Sequence, residues 1–169
     1  MKLDAIPARA EGGFHVVVES PRGSIVKLKY EPEFGVITVS RALPLGFAYP
    51  YDWGFVPSTK APDGDPVDAL VYWDVPTFPG VVLRCRALGV LELEQDSRSG
   101  GGRVRNDRLV AIPLKHERGE LLGSVHELAA RVRDELAHFF TSALYFEPKN
   151  PRVLGWGGPE AAEALVGRR

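Results

Sequence analysis

Three carboxylates lie within six residues in the segment Asp63-Gly64-Asp65-Pro66-Val67-Asp68. Gly64 allows backbone angles that other residues avoid and Pro66 fixes its own φ, so the pattern predicts a bent loop that crowds the acidic side chains. Such carboxylates repel one another, and a hard divalent cation such as Mg²⁺ or Mn²⁺ would relieve the repulsion. A plain solvated turn is the alternative, because similar clusters occur there. An EF-hand calcium loop is excluded, since it needs glycine at the sixth position, which is Asp68 here.

The residues around this acidic loop predict how it is positioned. Residues 69–73 form an apolar run typical of a buried strand, which would anchor the loop on a rigid element. Residues 41–62 precede the loop and carry many proline, glycine and aromatic residues. This segment is too apolar for a disordered linker and too broken for a regular element, so we expect an ordered loop packed on the core.

The remaining hydrophobic patterns predict strands first and helices late. Strand patterns cover residues 14–19, 25–30, 36–40, 71–73, 81–93 and 103–112. A capping box, Ser124 to Glu127, predicts the start of a long amphipathic helix, and Pro159 opens a short one through Ala164. This order predicts an α+β fold, in which strongly curved strands fit a small barrel of the OB type.

Size and composition exclude several classes of protein. With 169 residues, the chain is long enough for one domain with a sizeable core, at residues 1–169. A net charge of −1 gives no general attraction to nucleic acid or to an anionic membrane. We expect neither a signal peptide nor a membrane span, and hence a cytoplasmic location. The single cysteine, Cys85, lies in an apolar run and is interpreted as a buried structural thiol.

Several short motifs occur in a characteristic order along the chain. They are Glu19-Ser20-Pro21, Lys29-Tyr30-Glu31, Arg41, Tyr49-Pro50, the acidic loop, Gly89-Val90-Leu91, Ala111-Ile112-Pro113 and Phe139-Phe140. In this order and spacing the chain resembles the family I soluble inorganic pyrophosphatases. The resemblance implies an OB-like five-stranded β-barrel with a packed C-terminal helix, usually assembled in bacteria as a hexamer. It also implies Mg²⁺-dependent hydrolysis of pyrophosphate to two phosphates by a metal-activated water, with Mn²⁺ as the alternative cation.

The resemblance assigns the metal and proton chemistry to carboxylates. Asp65 would be the general base beside the attacking water, and Asp63 and Asp68 would hold the activating metal ions. Glu19 would help to bind a metal ion through water. This assignment suits the reaction, because hydrolysis of a compact and highly charged substrate needs charge neutralisation and an activated water.

The resemblance also assigns residues to the substrate. Lys29 and Arg41 would neutralise phosphate oxygens. Tyr49 would donate a hydrogen bond from its hydroxyl, and Glu31 would orient its neighbours. The charged residues between Glu19 and Glu31 would otherwise be read as solvated strand faces, so the resemblance changes their interpretation from structural to functional.

Two phosphate-binding positions of the family are altered in this chain. Trp53 stands where the family has a second tyrosine, and we expect its indole to bind the substrate with one hydrogen bond of different reach. The tyrosine–lysine pair expected shortly after Phe139-Phe140 is replaced by Ala143-Leu144. We therefore expect weaker or different phosphate binding.

Two metal-binding acids of the family are altered as well. Alignment forward from Gly89 places Gln95 and Asp96 at the two acidic positions of the family. Alignment backward from Ala111-Ile112-Pro113 places Asn106 at a family aspartate and Arg108 at a family lysine. We expect Asp96 and Asn106 to be metal ligands. A shift of one residue in the long turn at 97–102 would bring Asp96 or Asp107 into the vacant places. Because amide oxygens carry no negative charge, metal affinity should fall.

Four functions therefore remain open from the sequence. The first is a metal-dependent pyrophosphatase, and the second is a hydrolase of another phosphoanhydride in which Trp53 stacks on a larger group. The third is a degenerate relative that only binds phosphate or metal. The fourth, an OB-type nucleic-acid module, is disfavoured by the acidic loop and the net charge.

Overall fold

The computed structural model describes residues 2–116 and 121–167, whose regular elements are mainly strands. Its strands are β1 (Arg9–Ala10), β2 (Gly13–Ser20), β3 (Val26–Glu31), β4 (Val36–Ala42), β5 (Asp52–Val56), β6 (Val67–Val71), β7 (Val82–Asp96), β8 (Arg103–Arg105), β9 (Arg108–Pro113) and β10 (Arg152–Gly157). Its α-helices are α1 (Ala130–Ser142) and α2 (Pro159–Val166). Short 3₁₀ turns lie at Leu3–Ala5 and Val125–Glu127.

Five of the strands pair in a ring. Strand β2 pairs with β5, β5 with β6, β6 with β9, β9 with β7, and β7 again with β2. The β6–β9 pair is parallel and the other pairs of the ring are antiparallel. This arrangement confirms the α+β class and the OB-like five-stranded barrel. Strands β3 and β4 form a separate antiparallel hairpin, and β10 extends the sheet beyond β7.

The period of two along β6 divides its apolar side chains between two hydrophobic clusters. Val67, Ala69 and Val71 in β6 belong to one cluster, which α2 also joins. Leu70 belongs to the other, where it packs with Leu136 and further side chains of α1. Successive side chains of a strand point to opposite faces, so β6 connects the two clusters. Since β6 follows the acidic loop directly, the loop is attached to a strand that is buried on both faces.

Two glycines allow the close approaches that the ring requires. A Cβ atom on Gly54 would lie 1.8 Å from the carbonyl oxygen of Val17, so only glycine lets β5 pair with β2 here. Gly89 has a φ of +158° where the β7–β9 register shifts, and a Cβ there would lie 2.4 Å from Val125. These positions explain why glycines interrupt apolar strand patterns.

Some predicted elements differ from the structure. Residues 41–62 were expected to lack a regular element, which is wrong, because β5 lies within them and is buried throughout. Burial on both faces removes the alternation of polar and apolar residues by which a strand is recognised. Strand β10 was not predicted either, because Gly155 and Gly157 weaken the strand pattern of its sequence. The return strand at 103–112 is interrupted at residues 106–107, where Asn106 N–H donates to the Leu93 carbonyl at 2.8 Å.

The predicted capping box is formed only in part, and Ser124 caps a 3₁₀ turn rather than the α-helix. Ser124 Oγ accepts a hydrogen bond from His126 N–H, and the Glu127 carboxylate accepts one from Gly123 N–H at 3.0 Å. Leu128 then has an extended backbone, so the α-helix begins later, at Ala130. The short helix predicted from Pro159 is confirmed and runs to Val166.

Two expectations about the whole chain concern burial and membranes. Cys85 is fully buried, and this burial raises the pKa of its thiol well above the ordinary range. It is therefore a structural thiol, as predicted. In the part of the chain that the structure describes, the helices are too short or too polar to cross a membrane.

Candidate active site

A cleft of about 330 Å³ opens beside the acidic loop and is lined mainly by charged side chains. Its acidic side chains include Glu19, Glu31, Asp63, Asp65, Asp68 and Glu147. Its basic side chains are Lys27, Lys29, Arg41, Arg98, Arg108 and Lys149. Strands β2, β3 and β4, the acidic loop, the start of β9 and the segment after α1 all contribute. The cleft thus brings opposite charges from distant parts of the chain around one space.

Most of the predicted site residues line this cleft. They are Glu19, Lys29, Glu31, Arg41, Asp63, Asp65, Asp68 and Asn106. Their positions follow from local geometry. The strand period puts Lys29 and Glu31 of β3 on one face, and a short bent loop keeps its carboxylates together.

The acidic loop is held by its own backbone. Gly64 has a φ of +92°, and Ala61 N–H donates to the Asp65 carbonyl at 2.8 Å. Asp63 Oδ1 accepts a hydrogen bond from Asp65 N–H at 3.3 Å. Burial and the neighbouring charges of Asp68 and Asp65 raise the pKa of Asp63. The loop therefore stores electrostatic repulsion that a cation would relieve.

Asp65 is held between two cations. Lys29 Nζ lies 3.7 Å from one carboxylate oxygen, and Arg98 Nη2 donates to the other at 2.9 Å. Burial acts to raise the pKa of Asp65, but the charges of Lys29 and Arg98 outweigh it and hold the pKa below its ordinary value. Asp65 is therefore an ionised carboxylate at neutral pH, which is the state in which a carboxylate can accept a proton from water.

Glu19 has the opposite electrostatic environment. It is 6% exposed, and its Oε1 accepts a hydrogen bond from Tyr30 N–H at 2.7 Å. Burial, reinforced by the nearby charge of Asp68, raises the pKa of Glu19 to about 7, against the opposing effects of the Tyr30 hydrogen bond and Lys27. At neutral pH without a bound cation, Glu19 therefore carries a proton part of the time.

This raised pKa predicts how stability depends on pH when no divalent cation is present. The folded state binds a proton at Glu19 up to about pH 7, whereas the unfolded chain releases it near 4.5. Because the folded state binds more protons in this window, Glu19 should lower the free energy of unfolding by about 2–3 kcal/mol as the pH rises through it. Glu19→Gln stays neutral and should remove this decrease, as measured by urea unfolding in a chelator at several pH values.

Glu33→Gln is the matched control, because Glu33 lies on the exposed turn between β3 and β4. It should keep the wild-type dependence of stability on pH. Equal pH slopes for wild type and Glu19→Gln would contradict the prediction.

Arg108 occupies the back of the cleft as a buried cation. Its guanidinium pairs with the carboxylate of Asp68 and donates to Asn106 Oδ1. It also lies over the ring of Trp53, at 5.3 Å from the centroid, and 5.8 Å from that of Phe140. Charge pairing and cation–π contact both favour a guanidinium in this place.

Three buried polar side-chain atoms lack a hydrogen-bond partner among residues 2–116 and 121–167. They are Trp53 Nε1, Gln95 Oε1 and Arg108 Nε. Buried polar groups of this kind usually bind water or a ligand. The part of the site built by altered family positions is therefore polar but incompletely paired.

Three predicted site residues do not line the cleft. Tyr49 and Trp53 stack with ring centroids 6.1 Å apart in the apolar cluster against α1, where burial raises the pKa of the Tyr49 hydroxyl. Asp96 lies on the edge of β7 and pairs with Arg103 at 2.8 Å. The strand alternation turns Gln95 inward and Asp96 outward, so the Asp96 side chain does not reach the cleft, and the buried Gln95 does not line the cleft either.

The suggested shift that would bring Asp107 inward is also not seen. Asp107 accepts a hydrogen bond from Leu93 N–H at 2.9 Å and pairs with Arg105. These contacts hold its carboxylate at the hairpin and away from the cleft.

Several charged cleft residues were missed by the sequence analysis. They include Lys27, Arg98, Glu147 and Lys149. Lys27 could have been found, because it shares a strand face with Lys29. The other three lie in turns far along the chain, and no local pattern connects them with the acidic loop.

Among the described residues, the carboxylates suit a divalent cation only at the front of the cleft, which is the side formed by the acidic loop and Glu19. No three His, Cys, Asp or Glu side chains within the described ranges converge closely enough to form a ready-made metal centre. Mg²⁺, however, keeps several waters and commonly takes one or two carboxylates together with substrate phosphates. Asp63, Asp68 and Glu19 supply hard oxygen donors of this kind. At the back, the Arg108 guanidinium binds one carboxylate oxygen of Asp68 and Asn106 Oδ1, which disfavours a cation at these two atoms.

Comparison with known proteins gives one consistent family. A family model described as inorganic pyrophosphatase matches residues 16–169. An inorganic pyrophosphatase of a Synechocystis species is 37% identical over 167 residues, covering 98% of this chain and 95% of the relative. One from Streptomyces coelicolor is 40% identical over 156 residues, covering 92% of each. The crystal structure of the Thermus thermophilus inorganic pyrophosphatase superposes with a TM-score of 0.89 at 33% identity, over 98% of this chain and 95% of that chain.

Proposed function

Since the chain belongs to the inorganic pyrophosphatase family, we propose that it hydrolyses inorganic pyrophosphate to two phosphates. The observation that carries the proposal is the ionised Asp65 between Lys29 and Arg98, in a cleft that also contains further acids and cations. Attack on a phosphoanhydride needs a base for the water and positive charge for the phosphate oxygens. This cleft has both within one small space.

In this proposal Asp65 accepts a proton from the attacking water. Lys29 on β3 and Arg41 on β4 bind the phosphate oxygens of the substrate. Glu31 orients the charged side chains beside it. Arg41 is itself positioned by Glu147, at 3.4 Å, and by the carbonyl of Ala143, at 3.1 Å. These contacts fix the guanidinium before substrate binds, which lowers the entropy cost of binding.

A divalent cation is the cofactor that the family implies, and Asp63, Asp68 and Glu19 are the residues that would hold it. When bound, it supplies charge neutralisation for the phosphates and acidifies the attacking water. We propose Mg²⁺ as the preferred ion and Mn²⁺ as the alternative, because both favour carboxylate oxygens. Gln95 and Asn106 are neutral, so the site holds fewer negative charges than the resemblance implies, and its affinity for the ion should be reduced.

Release of phosphate from pyrophosphate tests the proposal directly. Purified protein is assayed with pyrophosphate and Mg²⁺, and separately with Mn²⁺, by colorimetric detection of phosphate. We expect release with at least one ion and none in a chelator. Absence of release with both ions would contradict the proposal, and release from tripolyphosphate or a nucleoside triphosphate alone would favour the alternative phosphoanhydride hydrolase.

Several finer expectations stay predictions. We expect the chain to assemble as a homo-oligomer, specifically a hexamer, and to be located in the cytoplasm. The absence of nucleic-acid and membrane partners also stays a prediction, although the abundance of carboxylates in the cleft is unfavourable for a polyanion without bound cations.

A further inference from the structure

Lys149 is a cleft-lining cation without an acidic partner. It is half-buried and lines the cleft together with Lys27, Arg98 and Arg108. Within residues 2–116 and 121–167, the ion pairs formed by lysine and arginine side chains do not include Lys149. Its side chain also has no hydrogen-bond partner in the described ranges. By contrast, Lys29, Arg41, Arg98 and Arg108 each face a carboxylate.

The surroundings of Lys149 make an unpaired ammonium costly. Burial and the positive charges of Lys27, Arg108 and Arg98 lower the pKa of Lys149, and only Asp68 opposes them. A partly desolvated ammonium among like charges is stabilised by an anion. The neighbouring carboxylates are already paired, Asp68 with Arg108 and Glu147 with Arg41, so an anion bound from solution would supply the missing counter-charge.

The backbone around Lys149 is fixed against the β7–β8 hairpin. The Lys149 carbonyl accepts a hydrogen bond from Asp96 N–H at 2.7 Å, and Lys149 N–H donates to the Glu147 carbonyl at 2.7 Å. Arg103 donates to the Asn150 carbonyl at 2.8 Å and pairs with Asp96. Asp96, which does not reach the cleft, thus helps to hold the segment that carries Lys149.

We propose that Lys149 is a substrate-binding residue that holds a phosphate group of the pyrophosphate. This inference rests on the proposed function and names a residue beyond those assigned by the motifs. An ammonium forms charge-assisted hydrogen bonds with phosphate oxygens and can do so from a segment that is already ordered. The role also fits the replacement of the expected tyrosine–lysine pair by Ala143-Leu144, because the lost cation is supplied five residues further along the chain.

Binding of methylenediphosphonate, a non-hydrolysable pyrophosphate analogue, tests the inference without turnover. Isothermal titration calorimetry in Mg²⁺ compares wild type with Lys149→Met, Lys149→Arg and Lys115→Met. We expect Kd to rise about tenfold in Lys149→Met, as the loss of one charge-assisted hydrogen bond implies. Lys149→Arg keeps the charge and should stay within about threefold of wild type. Lys115 is exposed outside the cleft, so Lys115→Met should bind as wild type does.

Steady-state kinetics provide the second measurement. For pyrophosphate, KM of Lys149→Met should rise about tenfold while kcat changes less than about threefold, since binding rather than chemistry is lost. Unchanged Kd in Lys149→Met, an equal loss in Lys115→Met, or no binding of the diphosphonate by wild type would overturn the inference. If wild type binds the diphosphonate but releases no phosphate from pyrophosphate, the proposed function fails, and the Kd values still decide the role of Lys149.

Discussion

Replacement of Asp65 by asparagine is expected to lower kcat for pyrophosphate hydrolysis by about a thousandfold. The amide has the shape of the carboxylate and can still accept a hydrogen bond from Arg98, but it cannot take a proton from water. Lys29 and Arg98 keep the wild-type carboxylate ionised, so the substitution removes the proton acceptor that these two cations maintain. Phosphate release at saturating pyrophosphate and Mg²⁺ measures the effect.

Asp134→Asn is the matched control, because Asp134 is exposed on α1 and does not line the cleft. It should have wild-type kcat. Asp65→Asn should still bind methylenediphosphonate, since the cations of the cleft are unchanged. Retention of more than about a tenth of wild-type kcat would contradict the role of Asp65 as general base, because general-base catalysis is typically worth about a hundredfold or more.

The front of the cleft could be predicted because its residues are close in sequence. Asp63, Asp65 and Asp68 lie in one bent loop. Lys29 and Glu31 lie two residues apart on one strand and therefore on the same face. Such short spacings determine relative positions through backbone geometry alone. Attachment of the loop to β6, which lies in the ring, then keeps that local arrangement in the folded chain.

The back of the cleft could not be predicted because it depends on long-range pairing. Whether Gln95 or Asp96 points inward is decided by the register of a long strand, and a shift by one residue reverses the answer. Arg98 and Lys149 reach the cleft from turns, whose position is set by contacts with other elements. Tyr49 and Trp53 turn toward α1, because the aromatic side chains of Phe139 and Phe140 bury them there. None of these contacts has a signature in neighbouring residues.

Arg108→Met is expected to lower the free energy of unfolding by about 3–5 kcal/mol. The guanidinium is 5% exposed, so its loss leaves the Asp68 carboxylate without its partner at the back of the cleft. The substitution also removes the cation–π contacts with Trp53 and Phe140 and the hydrogen bond that Arg108 donates to Asn106 Oδ1. Methionine fills much of the same space, which limits the contribution of an empty cavity. Urea unfolding of the metal-free protein measures the loss.

A double-mutant cycle with Asp68→Asn separates the charge pair from packing. If the pair dominates, the double variant should lose at least about 1 kcal/mol less stability than the sum of the two single variants, because no unpaired charge remains. Arg131→Met is the control, since Arg131 pairs with Glu135 on the exposed face of α1 and its loss should leave the free energy of unfolding close to the wild-type value. Additive losses, or a loss below about 1 kcal/mol in Arg108→Met, would contradict the assignment of Arg108 as the internal cation of the site. A strong coupling would instead mean that a fixed guanidinium, bound to the neutral amide of Asn106, stabilises the region where the resemblance implies acidic metal ligands.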